Sequence, residues 1–318
     1  MGITSIARSL GAARTAPAPS TIWAILERMV GRIAIIGGTG IGEALSAFGT
    51  GVSHDIDTPF GRPSAPIVTI DHGGLELALL QRHGQGHLLN PSRVPSRANI
   101  FALKKLGVTH VIATGAVGSL KEEFAPRHLV LPDQLIDRTI HREPTFYEDL
   151  AVHIEFSDPF CSTLRAALLA AAPRVDTSVH PTGTYVCMEG PAFSTRAESH
   201  WNRQIGGHLI GMTLMPEARH AREAALCYAA IALPTDYDSW RPHESGTPVQ
   251  VMEAVIQNLK AVTAHGLALV RHTLPLIAAT PSTCRCQSAL DLAVWSNKSL
   301  ISPTLRAKYE PLLGKHLD

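Results

Sequence analysis

Four short segments carry residues able to bind an anion or to donate a proton. Gly37-Gly38-Thr39-Gly40-Ile41-Gly42 follows an apolar run and sets four glycines in six residues. Backbone N–H groups in such a loop approach an anion closely, and Thr39 adds a hydroxyl donor. Alone, the loop fits a dinucleotide site, a phosphate site or a tight turn. Arg82-His83-Gly84 follows a second apolar run. Arginine offers phosphate a planar fork and His83 one more donor, although the same pair also suits an ordinary surface. A third segment, Thr114-Gly115-Ala116-Val117-Gly118-Ser119, reads as another Gly-rich turn after a strand. The fourth is Thr235-Asp236-Tyr237-Asp238. A partly buried carboxyl there could keep its proton and donate it to a leaving group; the plainer alternative is a solvated turn.

These segments need a scaffold that brings strand ends together. Short apolar runs bounded by Gly, Pro or Asp predict strands at 32–37, 67–71, 75–81, 110–114, 129–131, 184–187, 209–212 and 228–233. Such runs suit strands covered on both faces. Helical periodicity predicts helices at 93–106, 160–172, 196–204, 216–226 and 249–274, with two shorter ones near 289–294 and 304–313. The alternation places the chain in the α/β class with a mostly parallel sheet. Ligands in open α/β sheets sit beyond the carboxyl ends of strands, where the Gly-rich loops would converge. Residues 29–277 read as one catalytic domain, and 278–318 as a helical appendage packed on it.

The 318 residues carry 28 Lys plus Arg against 27 Asp plus Glu, a net charge of +1. No global charge drives the chain toward nucleic acid or membrane. No run of about 18 apolar residues suggests a membrane span. Residues 1–28 are rich in Ala, Ser and Thr with three arginines. They are expected to be a disordered, dispensable extension, Met29 being the natural start, although their composition also resembles a weak targeting peptide. Five scattered cysteines point to reduced thiols and a cytoplasmic location. Cys284-Arg285-Cys286 is read as two incidental thiols, with a vicinal disulfide-type clip as the alternative. Zinc is disfavoured there because no second Cys or His pair stands at ligand spacing.

Longer strings carry a resemblance. IIGGTG, DTPFG, RHGQGH, ANIFALK, ATGAVGSL, DQLIDRT, TFYED, EGPAFSTRAES, GMTLMPEA, CYAAIALPTDYDSW and HE occur in this order between residues 32 and 277. The chain thereby resembles the methylthioadenosine phosphorylases, a branch of the trimeric purine nucleoside phosphorylases. The resemblance implies a single-domain nucleoside phosphorylase fold, with a central mixed sheet flanked by helices. It implies phosphorolysis of 5'-methylthioadenosine to adenine and 5-methylthioribose 1-phosphate, with no metal or cofactor and with inorganic phosphate as co-substrate. Thr39, Arg82, His83, the Gly115-Ala116 backbone and Thr213 would hold phosphate. Phe193 would stack on the purine, and Met212 would pack under the ribose. Asp236 would face N7 and Asp238 the exocyclic amine. Val249 and Met252 would line the methylthio pocket. His153 would be lent to that pocket by a neighbouring subunit of a homotrimer. One departure is visible: family members often carry a second Thr where Gly115 stands.

The nearest rival is a phosphorylase for 6-oxopurine nucleosides or methylthioinosine. A carbonyl acceptor suits two carboxylates poorly unless one is protonated, whereas the 6-amino group of adenine is a donor and suits them well. Apolar Val249 also favours a thioether over a 5'-hydroxyl. A short-chain dehydrogenase using GGTGIG would need a Tyr-x-x-x-Lys pair, and none of the five tyrosines has one. A non-catalytic binding protein on the same fold is disfavoured by the presence of Arg82, His83 and Asp236.

Overall fold

The computed structural model describes residues 31–242, 247–279 and 284–318. The expectations for residues 1–28 and for His243-Glu244 lie outside these. Among the described residues the chain forms β1 (Arg32–Gly37), α1 (Ile41–Ala44), β2 (Val52–His54), β3 (Ile67–His72), β4 (Leu75–Gln81), α2 (Ser96–Lys105), β5 (Val108–Ser119), β6 (Leu129–Val130), β7 (Gln134–Arg138), α3 (Ser162–Ala171), β8 (Val179–His180), β9 (Thr184–Met188), α4 (Arg196–Gln204), β10 (Leu209–Gly211), α5 (Leu214–Glu223), β11 (Cys227–Tyr237), α6 (Pro248–Ala278) and α7 (Pro303–Leu313).

The strands join one mixed sheet in the order β2-β3-β4-β1-β5-β10-β9-β7, with β11 on β5 and β6, and β8 on β6. β1 runs parallel to β4 and β5, and β11 parallel to β5, whereas β3 pairs antiparallel with β2 and β4. In β1, Ile33 and Ile35 enter one core while Ala34 and Ile36 enter the other. β11 does the same, with Ala229, Ile231 and Leu233 on one side and Tyr228, Ala230 and Ala232 on the other. Two covered faces explain why both strands read as unbroken apolar runs rather than as alternation.

Several boundaries differ from the sequence expectations. Residues 114–119 are not a turn: β5 runs on through Ser119, pairing with β11 and then, antiparallel, with β10 at Gly118 and Ser119. β11 likewise continues past Leu233 to Tyr237, across a register shift between Pro234 and Asp236. Proline has no N–H for the ladder, so the shift falls where a hydrogen bond is already missing. Pro95 delays α2 to Ser96, after a short 3-10 turn at Pro91–Arg93. Residues 289–293 form turns rather than a helix, and Val294 makes an isolated bridge to Val152. The segment after α6 shares the main core: Leu290, Tyr309, Leu312 and Leu313 pack with Ile100, Phe146 and Leu226.

Candidate active site

The carboxyl ends of β1, β4, β5 and β11 open on one cavity of about 510 Å³. At one end lies the β1–α1 loop. Gly38 cannot carry a side chain, since a Cβ would meet the Thr114 carbonyl oxygen at 2.5 Å and Arg82 Nη1 at 2.8 Å. Gly40 has φ +85°, a conformation glycine adopts without strain. Thr39, His83, Gly115, Ala116 and Thr213 all line this end. Thr213 precedes α5 but does not cap it, and its Oγ1 would stand 3.4 Å from a Cβ at Gly115.

Arg82 is not an open fork on the cavity wall, which corrects the sequence expectation. It is fully buried and donates from Nε and Nη2 to the two Glu217 carboxylate oxygens, each at 2.8 Å, and from Nη1 to the Thr114 carbonyl at 2.5 Å. Tyr228 donates a further hydrogen bond to Glu217 at 2.7 Å. The guanidinium therefore braces the loops from beneath, its positive charge kept by Glu217 against burial. His83 also differs from expectation. Its Nδ1 lies 2.8 Å from the Leu89 carbonyl, so that nitrogen carries the proton and Nε2 presents a lone pair. Burial, reinforced by Arg82, lowers its pKa to about 4. Neutral His83 offers the cavity an acceptor, not the extra donor the sequence suggested.

The opposite end is built by the paired tips of β5 and β11, where Asp236 sits beside Gly118 in register. Asp236 and Asp238 line the same cavity, as the alternation of a strand would have it. Thr235 Oγ1 donates to Asp236 Oδ1 at 2.7 Å. Asp238 is 6% exposed, and its Oδ2 is buried with no hydrogen-bond partner. Burial raises the Asp238 pKa, with hydrogen bonds from Ser199 and Ser194 opposing the shift. Burial in such a pocket disfavours the charged form of the carboxyl.

Phe193 stands at the mouth, 77% exposed yet lining the cavity with Met212 and Met252. Val249 does not join them: it is 66% exposed in the first turn of α6, while Val251, Val255 and Leu259 from that helix face the cavity. His153 does not line its own chain's cavity; it is exposed and edge-on to Trp295 at 4.7 Å.

The Phosphorylase superfamily profile matches residues 32–273. An S-methyl-5'-thioadenosine phosphorylase of Geobacter sulfurreducens is 44% identical over 294 residues, covering 92% of this chain and all of the relative. The chain belongs to the phosphorylase superfamily, in its methylthioadenosine phosphorylase branch. A relative of the same description from Hyperthermus butylicus is 43% identical over 82% of this chain and 95% of its own length. A methylthioadenosine phosphorylase from an antarctic soil metagenomic library superposes with TM-score 0.82 at 42% identity, covering 89% of this chain and 99% of that one. A Schistosoma mansoni methylthioadenosine phosphorylase in complex with adenine superposes with TM-score 0.77 at 35% identity, covering 83% and 98%.

Within this phosphorylase, sequence reasoning missed two positioning groups. Glu217 was overlooked because it lies on a helix face otherwise made of Leu214, Met215, Ala218 and Ala221. A lone acid on an apolar face was the available signal, since a buried charge needs a partner. Arg142 was overlooked because nothing around it is periodic. It donates to the carbonyls of Met212 (2.6 Å), Met215 (2.7 Å) and Glu189 (2.6 Å) and to the Glu189 carboxylate (3.1 Å). It thus fixes the Met212 backbone that faces the cavity. Although burial opposes it, hydrogen bonds from the N–H groups of Ile140 and His141 and from Arg142 hold Glu189 down at about 2.

Proposed function

We propose that this chain cleaves 5'-methylthioadenosine with inorganic phosphate, giving adenine and 5-methylthioribose 1-phosphate. The observation that carries the reading is one cavity with opposite chemistry at its ends. Anion-friendly backbone, Thr39 and Thr213 stand at one end over buried Arg82, and Asp236 and Asp238 at the other. Phosphate is bound by the loop amides and hydroxyls, which the buried Arg82–Glu217 pair holds in place from beneath. Neutral His83 Nε2 accepts a hydrogen bond from a phosphate P–OH group. The glycosidic bond loosens, positive charge builds on the sugar, and the held phosphate stabilises that charge and attacks C1'.

The family resemblance sets Asp236 at N7 and Asp238 at the 6-amino group. Adenine needs one donor and one acceptor on this edge, so the carboxyls share a single proton. Delivery of that proton from Asp236 to N7 makes the base a better leaving group. Phe193 stacks on the purine, Met212 packs under the ribose, and Met252 with its α6 neighbours surrounds the thioether. The chain acts as a homotrimer, with His153 completing a neighbour's pocket; the exposed His153–Trp295 pair supports this. Five free cysteines support a cytoplasmic setting, and among the described residues no helix is long and apolar enough to cross a membrane. The reading requires no metal or organic cofactor in the chemical step.

Comparing kcat/KM for methylthioadenosine, adenosine and inosine tests the substrate assignment. Methylthioadenosine should lead. A preference for inosine would select the 6-oxopurine alternative. Light scattering should find a trimer, and a fully active monomer would contradict the shared pocket.

A further inference from the structure

Four of the five cysteines meet at a place remote from the cavity. Cys161 precedes α3, Cys227 opens β11, and Cys284 and Cys286 lie in the segment after α6. Their four sulfur atoms all lie within 4.8 Å of one another. The sequence spacing hid this, because Cys161 and Cys227 are far apart in the chain. The fold joins them through the Cys161 N–H, which donates to the Tyr228 carbonyl at 2.8 Å.

We propose that Cys161, Cys227, Cys284 and Cys286 form a tetrathiolate site for a single zinc ion, which fastens the C-terminal segment to the core. Zinc–thiolate bonds of about 2.3 Å in a tetrahedron place sulfurs roughly 3.8 Å apart, which the observed cluster brackets. Cys161 Sγ and Cys284 Sγ are 3.3 Å apart, well beyond a disulfide bond of about 2.05 Å. Cys161, Cys227 and Cys286 are buried within one apolar core and Cys284 packs against it. Thiols are weak hydrogen-bond partners, and four of them converging in such a core are better satisfied by a shared cation than by one another.

The surroundings suit thiolates. The Leu164 N–H donates to Cys161 Sγ at 3.4 Å, and the N-terminus of the ten-residue α3 points at that sulfur. As four Zn–S bonds form, the thiols release their protons to solvent and no electrons move. Four protein ligands leave no open position for water, which marks the site as structural. None of the four lines the active-site cavity, so the site is independent of the proposed reaction.

The test is metal analysis of the full chain, purified under reducing conditions, given stoichiometric zinc and dialysed. One zinc per chain should remain, and cobalt substitution should give thiolate-to-cobalt charge-transfer bands with tetrahedral d–d absorption. Cys284→Ser/Cys286→Ser should lose at least nine-tenths of the bound metal while still cleaving methylthioadenosine. A strong chelator should lower the thermal midpoint of the wild type, on the order of 5 °C, but not that of the double variant. Should that variant fail to fold, the wild-type cobalt spectrum and Cys286→Ser alone still decide. Reduced wild type that retains no zinc overturns the proposal. So does unreduced, metal-free protein lighter by two hydrogens for each sulfur–sulfur bond, since the cysteines would then be disulfides.

Discussion

The Arg82 guanidinium and the Glu217 carboxylate meet in a two-pronged pair, both contacts 2.8 Å, with neither side chain exposed beyond 1%. The pair links the end of β4 to α5 beneath the phosphate-type loops. Removing one partner leaves a buried uncompensated charge, which typically costs about 3–5 kcal/mol. Glu217→Ala should therefore lower unfolding stability by that order and also raise the phosphate KM. Arg82→Lys, which keeps the charge but loses the fork, should do the same more mildly. Urea denaturation and phosphate titration check both. Unchanged stability in Glu217→Ala would show that the pair is not formed in solution.

A second buried acid sets a pH dependence. Burial raises Glu223 from 4.5 to about 7, against hydrogen bonds from Thr145 Oγ1 and the Phe146 N–H. The folded state then holds a proton that the unfolded chain releases above about pH 4.5. Its contribution is full below that pH and is lost as pH rises through 7, on the order of 3 kcal/mol. Glu223→Gln should flatten this decline. Denaturation midpoints between pH 5 and 8 measure it, and an equal slope in the variant would rule out Glu223 as the source.

The strands and helices of the central domain were legible because β1, β4 and β11 bury both faces and so read as plain apolar runs. The short β2 and β8, and β7 with its exposed Gln134 and Asp137, carry no such signal. The ends of β5 and β11 were misread as turns because glycine and aspartate suggest loops, whereas here they let two strand tips approach closely. A Gly118 Cβ would stand 3.2 Å from that of Asp238. The site's polar residues were legible as types at strand ends. Their protonation was not, since the Leu89 carbonyl and the burial around Asp238 are tertiary facts. The four-cysteine cluster was hidden for the same reason.

Gly115 bears on phosphate affinity. A Cβ there meets only Thr213 Oγ1, at an ordinary 3.4 Å. Gly115→Thr should fold normally and add a hydroxyl beside Thr39 and Thr213. One added hydrogen bond to a charged ligand is worth about 1.5–3 kcal/mol, so the phosphate KM should fall roughly 10- to 100-fold with little change in the nucleoside KM. A raised phosphate KM would place the anion elsewhere.

The base end has its own variant. Asp236→Asn keeps shape and can hydrogen-bond N7 but cannot deliver a proton. Adenine release should fall by roughly 10²–10⁴-fold, and inosine should gain relative to methylthioadenosine because an amide both donates and accepts. An unmoved ratio of kcat/KM between the two nucleosides would mean that Asp236 does not read the base.

The most direct measurement is adenine release from methylthioadenosine by the purified chain, with and without inorganic phosphate. In the proposed reading, Thr39, Thr213 and the Gly115-Ala116 backbone hold phosphate as the attacking group. Adenine and 5-methylthioribose 1-phosphate should therefore appear in equal amounts with phosphate, and neither without it. Equal rates of adenine release in its absence, with free 5-methylthioribose as the sugar product, would make the protein a hydrolase and contradict the assignment.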